Sequence, residues 1–337
     1  PLHYLFHNSN TYMTMNLKSI LFAAVVLSIA ACGGNKGADT TAEGALAGTI
    51  NIDGSSTVYP ITEAVAEEFK KVNPDVKVAV ALSGTGGGFK KFGRAETDIN
   101  DASRPIKSAE DSLAKANNVG YEELMVAYDG MAVVVNPQNT WCNDMTVAEL
   151  KMLWAPEAQG KITKWNQIRP EWPNQEIHLF GPGVESGTYD YFTEAIVGKS
   201  HSSRGDFTAS EDDNVLVQGV ASDKNALGFF VLAYFEENKD KLKEIGIDDG
   251  KDENGAGPIK PTVETVKNKT YSPLGRPLFI YVNSAAAKRA EIQAFVKFYL
   301  EQVNTLSAEV GFIPMTDEET AAVKAKWEAF VSTHNAQ

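Results

Sequence analysis

Apolar and polar positions switch between two periods along this chain. Residues 49–52 (TINI) alternate strictly, which predicts a short strand with one face inward. In residues 60–72, Ile61, Val65, Phe69 and Val72 fall on one face of a helix. Residues 76–82 (VKVAVAL) return to a strand rich in β-branched side chains. A helix is expected to start at residues 89–94, and Asp98-Ile99 leads a short strand into a turn. Residues 125–135 (MVAYDGMAVVV) form a long extended run through Asp129-Gly130, clearest at Val126 and at Val133, Val134 and Val135. Helix follows at 147–154 with Leu150 and Leu153 inward, strand at 177–180, and after a glycine turn helix at 189–197. Residues 226–232 (ALGFFVL) and 277–282 (PLFIYV) are apolar strands or buried segments. Residues 287–302 form an amphipathic helix whose inner face is Ile292, Phe295, Val296, Tyr299 and Leu300. Residues 248–258 form a surface loop. Strand–helix alternation without a repeat argues for an α/β fold with mostly parallel sheets.

The first residues follow another logic. Met15 is the expected start, with residues 1–14 a mis-called start. Lys18 precedes an apolar run, residues 20–31, broken only by Ser28. One positive charge before about a dozen apolar residues is a secretory signal, too short for a membrane span. The run ends Ile29-Ala30-Ala31-Cys32-Gly33-Gly34, which resembles a bacterial lipobox with Cys32 as the lipidated residue. Residues 15–31 are therefore expected as a lipoprotein signal peptide. Residues 32–47, rich in Gly, Ala and Thr, are expected as a flexible tether. The alternative is a soluble secreted protein cut after Ala31.

Composition narrows the function classes. Of 337 residues, 43% are hydrophobic and 22% charged, a globular balance with length for about two domains. Acidic residues outnumber basic ones 44 to 31, giving net charge −13. A nucleic-acid binder carries the opposite sign. Such a charge does not attract anions at long range, so an anion site has to be built locally. Two cysteines make neither a disulfide framework nor a Cys-rich zinc site, and Cys142 is expected as a structural thiol. With five histidines, of which only His3 and His7 are close in sequence, no metal centre or cofactor is expected.

Three segments place glycines and hydroxyls where a helix opens. They are Gly54-Ser55-Ser56-Thr57 before Pro60, Ser83-Gly84-Thr85-Gly86-Gly87-Gly88, and Glu185-Ser186-Gly187-Thr188. Free N–H groups at helix starts, with hydroxyls beside them, can be capped internally or can bind an anion. A nucleotide does not fit: Gly88-Phe89-Lys90-Lys91 lacks the Gly-Lys-Ser/Thr junction, and a dinucleotide pattern from Gly84 meets Phe89 where glycine is needed. A small tetrahedral oxyanion does. A fourth segment, residues 98–105, adds charge through Arg104, whose fork can bind two anion oxygens, with Pro105 ending the element.

Together these segments resemble the phosphate-binding proteins of bacterial phosphate ABC uptake systems. The resemblance runs from about residue 48 to the C-terminal region, on DGSSTVYPI, SGTGGGFKKF, DASRPI, GPGVESGTYDYFTEAI, DDNVLVQGV and RPLFIYV. It implies a two-lobed α/β periplasmic-binding-protein fold of type 2, with two crossover segments and a ligand cleft between the lobes. Residues 48–129 and 278–337 would form lobe 1 and residues 130–277 lobe 2, with crossings near 128–131 and 276–281. It implies a monomeric extracytoplasmic, periplasmic protein, lipid-anchored through Cys32. That protein closes on inorganic phosphate and delivers it to an ABC permease without catalysis. By motif, Ser56, Thr57, Thr85 with Gly86, and Ser186, Gly187 and Thr188 match phosphate donors. Two positions depart from the family. Pro182 stands where an arginine precedes the Ser186 position, and Ser103 aligns with an aspartate. Arg104 is the candidate replacement for the arginine. Asp101, then Asp190, is the candidate carboxylate.

Competing classes are a receptor for sulfate or molybdate and a periplasmic phosphatase. The phosphatase needs a nucleophile with a base, and His178, the nearest histidine preceding Ser186, lies eight residues before it.

Overall fold

The computed structural model describes residues 46–184 and 186–335. Residues 1–14, the signal segment and Cys32 lie outside the described residues. Of the expected tether, Leu46 and Ala47 are described, and Leu46 packs half-buried against the lobe 1 core.

Lobe 1 opens with β1 (Gly48–Gly54), α1 (Tyr59–Val72), β2 (Val76–Val80), α2 (Gly84–Phe92), β3 (Ile99–Ala102) and α3 (Ser108–Ala116). A single strand, β4 (Tyr121–Val135), then crosses into lobe 2. Lobe 2 continues with β5 (Asp144–Thr146), α4 (Val147–Trp154), β6 (His178–Pro182), α5 (Gly187–Phe192), β7 (Thr208–Ser210) and α6 (Asp213–Ser222). After these come β8 (Ala226–Val231), α7 (Leu232–Asn238), β9 (Lys243–Glu244), β10 (Gly246–Asp248) and α8 (Val263–Lys267). The chain returns along β11 (Gly275–Asn283), and α9 (Ala290–Glu309) and α10 (Asp317–Asn335) complete lobe 1.

The main sheet runs β2-β1-β3-β11-β4-β8-β6-β7. Each lobe holds parallel pairs, between β1 and both β2 and β3, and between β6 and both β7 and β8, while β9 pairs antiparallel to β4. The expectation of mostly parallel sheets fails at the junction. There β11 runs antiparallel to β3 and β4, and β4 antiparallel to β8. Two segments that cross in opposite directions side by side can pair only that way. Gly130 of β4 stands opposite Gly275 of β11.

Each lobe has its own apolar core. In lobe 1, Ile61, Val65 and Phe69 of α1 meet Phe295 and Tyr299 of α9, with Phe69 edge-on to Phe295 at 5.2 Å. Val72, expected on the same face, is the last residue of α1 and is 61% exposed. In lobe 2, Leu150, Leu153 and Trp154 of α4 pack with Phe192 and Phe229, whose rings stack at 3.7 Å. The glycine stretch is not a loop before a helix: α2 begins at Gly84 rather than near residue 89. A Cβ on Gly88 would lie 2.6 Å from Gly54 Cα, so this helix approaches β1 as only a glycine face can. The helix expected at 189–197 starts at Gly187 and loosens after Phe192 into one π turn, residues 193–197. Among the described residues no helix is long and apolar enough to cross a membrane.

Candidate anion-binding cleft

A cavity of about 150 Å³ opens between the lobes, below the range of pockets that hold drug-sized ligands. Lobe 1 contributes Ser55, the first turn of α2 and the Ser103-Arg104 corner; lobe 2 contributes Asp190, Tyr191, Glu194 and Ser200; β11 contributes Arg276. A larger groove of about 480 Å³ lies between α9 and α10. It is lined by Lys297, Leu300 and Trp327 among others and gathers no hydroxyls or helix starts of the expected kind.

The lobe 1 wall is tied from behind. Ser83 precedes α2 but does not cap it: its hydroxyl donates to Asp53 at 2.7 and 2.8 Å. Asp53 also accepts from the Gly54 N–H at 2.7 Å and pairs with Lys91. Burial pushes the Asp53 carboxyl up, but these donors outweigh it and hold it below its ordinary value. The first turn of α2, Gly84-Thr85-Gly86, therefore faces the cavity with N–H groups that helix geometry leaves free. Thr85 Oγ1 accepts from the Ser103 N–H at 3.1 Å and shares a bond with the Ser103 hydroxyl at 3.0 Å, joining two of the expected loops.

The remaining donors meet beside the cavity, where the lobes touch. Ser186 caps α5 by accepting from the Thr188 N–H at 3.2 Å. A Cβ on Gly187 would stand 3.2 Å from the Thr57 backbone, so this helix start rests on the Ser56-Thr57 loop of the other lobe. Ser56 donates to Asp190 Oδ2 at 3.1 Å, a hydrogen bond across the cleft. Asp190 also accepts from Ser200, and His201 Nε2 lies 3.6 Å from its other oxygen.

Two charged candidates are placed differently from expectation. Asp101 is 1% exposed, but its carboxyl turns to Thr62 of α1 and does not line the cavity. One of its oxygens is buried without a partner, and burial raises it to about 8. Arg104 does reach the wall, yet its fork is occupied by Glu110, both nitrogens standing 2.8 Å from the carboxylate oxygens. Glu110 is available because it sits in the first turn of α3 and accepts from the Lys107 N–H. Sequence reasoning missed Tyr191, Glu194, Ser200 and Arg276. Of these, Arg276 had a signal: it opens the string RPLFIYV at an expected crossing.

Among the described residues no cluster of His, Cys, Asp and Glu could hold a metal ion. Cys142 is fully buried and burial pushes its thiol up to about 12, as suits a structural thiol.

A family model described as a PBP superfamily domain matches residues 39–303. The chain is 50% identical over 271 residues to protein SphX of Synechocystis sp., covering 80% of this chain and 79% of the relative. It is 37% identical over 308 residues to the phosphate-binding protein PstS of Staphylococcus saprophyticus, covering 90% and 91%. It is similar to the crystal structure of a possible phosphate binding protein from Planctomyces limnophilus, with 47% identity and TM-score 0.81 over 85% of this chain and 99% of that one. Two α/β lobes, an antiparallel crossing ribbon and relatives over nearly the whole described chain agree: the protein belongs to the PBP superfamily and, within it, to the family of the phosphate-binding proteins.

Proposed function

We propose that this chain is an extracytoplasmic receptor that captures inorganic phosphate between its lobes, closes on it by bending at the crossing ribbon, and delivers it to an ABC permease. Residues 48–129 with 278–337, and residues 130–277, are the two moving bodies, and Cys32 anchors the monomer to a membrane. This reading involves no chemistry on the ligand: Ser56 donates to Asp190, and among the described residues no histidine pairs with Ser56.

The observation that carries this reading is the Ser56–Asp190 bond across the cleft, beside the Thr85–Ser103 wall. Neutral hydroxyl and N–H donors of lobe 1 suit phosphate oxygens. Phosphate near neutral pH keeps at least one P–OH, and a carboxylate can accept from it. Sulfate offers that carboxylate only a lone pair and like charge. Asp190, lining the cavity, takes the acceptor role that the sequence assigned first to Asp101. Ser56, Thr57, Ser186, Gly187 and Thr188 close over the ligand from both lobes.

Calorimetric titration tests this. The wild type should bind phosphate and exclude sulfate by up to roughly 10⁴-fold, the discrimination open to a buried polar partner. Asp190→Asn should weaken phosphate and let sulfate compete. Equal binding of both anions by the wild type would make it a general oxyanion receptor, and binding of neither would reject the reading. For the anchor, detergent partitioning should lose the protein when Cys32→Ser is introduced.

A further inference from the structure

Two arginines line the cleft, and the roles assigned to them rest on its being the phosphate site. Their existing partners differ. Arg104 is paired fork to fork with Glu110, and its Nη1 also donates to the Pro105 carbonyl at 3.2 Å. That charge is matched before a ligand arrives.

Arg276 makes no such pair. Its Nε and Nη2 approach a single oxygen of Asp129, both at 3.4 Å, which is long for a charge-assisted bond. Nη2 donates to Thr57 Oγ1 at 3.0 Å, and Nη1 has no hydrogen-bond partner among the described residues. The guanidinium lies over the Tyr191 ring, 3.2 Å from its centroid, and the Tyr191 hydroxyl is tied to the Pro273 carbonyl at 2.5 Å. Asp129 is 3% exposed; burial raises its carboxyl above the ordinary value, and the nearby Arg276 pulls it back down.

We propose that Arg276, on the strand that joins the lobes, is the cation that contacts the bound anion, and that Arg104 is the positioning residue that holds the Ser103 corner. Arg276 touches lobe 1 through Thr57 and lobe 2 through Tyr191. Ligand charge is thus met on a crossing strand, at a guanidinium that both lobes touch. An anion that engages Nη1 adds to contacts that exist only while Thr57 and Tyr191 face the same guanidinium, which couples binding to the closed arrangement.

The test is calorimetric titration of inorganic phosphate into the full chain and its variants, with melting temperatures measured alongside. Arg276→Gln should weaken phosphate by about 10- to 150-fold, as loss of a hydrogen bond to a charged group does. Arg276→Lys, which keeps the charge without the fork, should recover part of that loss. Arg104→Gln should cost less affinity than Arg276→Gln and lower the melting temperature, because it leaves the half-buried Glu110 without its partner. If Arg276→Gln does not fold, Arg276→Lys against Arg104→Gln gives the same ranking. Arg276 variants that bind like the wild type, or a larger loss from Arg104→Gln, would overturn the assignment. A wild type that binds no phosphate rejects the functional reading instead, and the ranking is then read with sulfate as the probe.

Discussion

The two walls of the cleft are held in place by different physics. Behind the lobe 1 wall lies a polar floor: Asp53 with Lys91 and Ser83, then Asn100 and Asp101, both buried with side-chain atoms lacking partners. Behind the lobe 2 wall lie aromatic rings, Phe192 stacked on Phe229 with Trp154 edge-on to both. Hydrogen bonds and close backbone contact fix the direction of the lobe 1 donors. Ring packing fixes the position of α5 and leaves Asp190 and Glu194 facing the gap. Lobe 1 therefore supplies directed donors, and lobe 2 a negatively charged counter-surface that meets them only when the lobes touch.

The same substitution on each wall separates these roles. Gly88→Ala puts a Cβ 2.1 Å from Asn100 Oδ1 and 2.6 Å from Gly54 Cα, inside one lobe and against backbone. It should destabilise the ligand-free protein by about 3 kcal/mol, the upper end of overpacking costs, read as a fall in melting temperature. Gly187→Ala meets Thr57 and Ser56 at 3.2–3.3 Å, and only across the cleft. Its melting temperature without ligand should stay unchanged while phosphate binds about tenfold more weakly, about 1.4 kcal/mol. An equal loss of stability from both glycine variants would erase the distinction between the walls.

The smallest effect sharpens the polar floor. With Asp101 raised to about 8 from 3.8, the native chain keeps a proton that the unfolded chain has released. Between about pH 4 and pH 8 the native state binds more protons, so Asp101 makes stability fall as pH rises through that window. Asp53, held below its ordinary value, has the opposite sign and loses its contribution as pH falls below about 4. Asp101→Asn should raise the melting temperature at pH 8 by roughly 1–2 °C, what about 1 kcal/mol is worth at this size, and leave it unchanged at pH 4. A melting temperature at pH 8 no higher than wild type would mean that Asp101 is not held neutral.

Elements with one buried face were legible in the sequence: α1, α4 and α9 through their spacing, β1 through alternation and β2 through its β-branched side chains. The start of α2 was not, because each glycine in a helix costs about 1 kcal/mol relative to alanine, and only packing against Gly54 and Asn100 explains why the helix accepts them. The hydroxyls Ser56, Thr57, Thr85 and Ser186 could be singled out because helix starts mark free N–H groups; the structure sets Thr85 in the cavity wall and the other three beside it. The charges were harder. Arg104 looked free because its partner Glu110 belongs to α3, which the pattern did not reveal. Asp101 and Asn100 are neighbours on β3, so one must turn away from the other, but which of them faces α1 depends on sheet stacking. Arg276 acquires its place only by reaching Thr57, 219 residues earlier in the chain.

The position of β11 in the sheet sets the order in which the molecule can be assembled. It lies between β3 and β4, so the lobe 1 sheet has a gap at its centre until residues 275–283 arrive. The strands β6, β7 and β8, and the part of β4 they extend, are all in hand well before that. Lobe 2 can therefore condense as a unit, while lobe 1, which starts first, closes last. The pairing of β3 with β11 spans a long stretch of chain, the kind of contact that slows folding and leaves strand edges bare meanwhile. A chain that stops before β11 would keep β1, β2 and β3 as an open-edged half sheet, with the α1 face uncovered for want of α9.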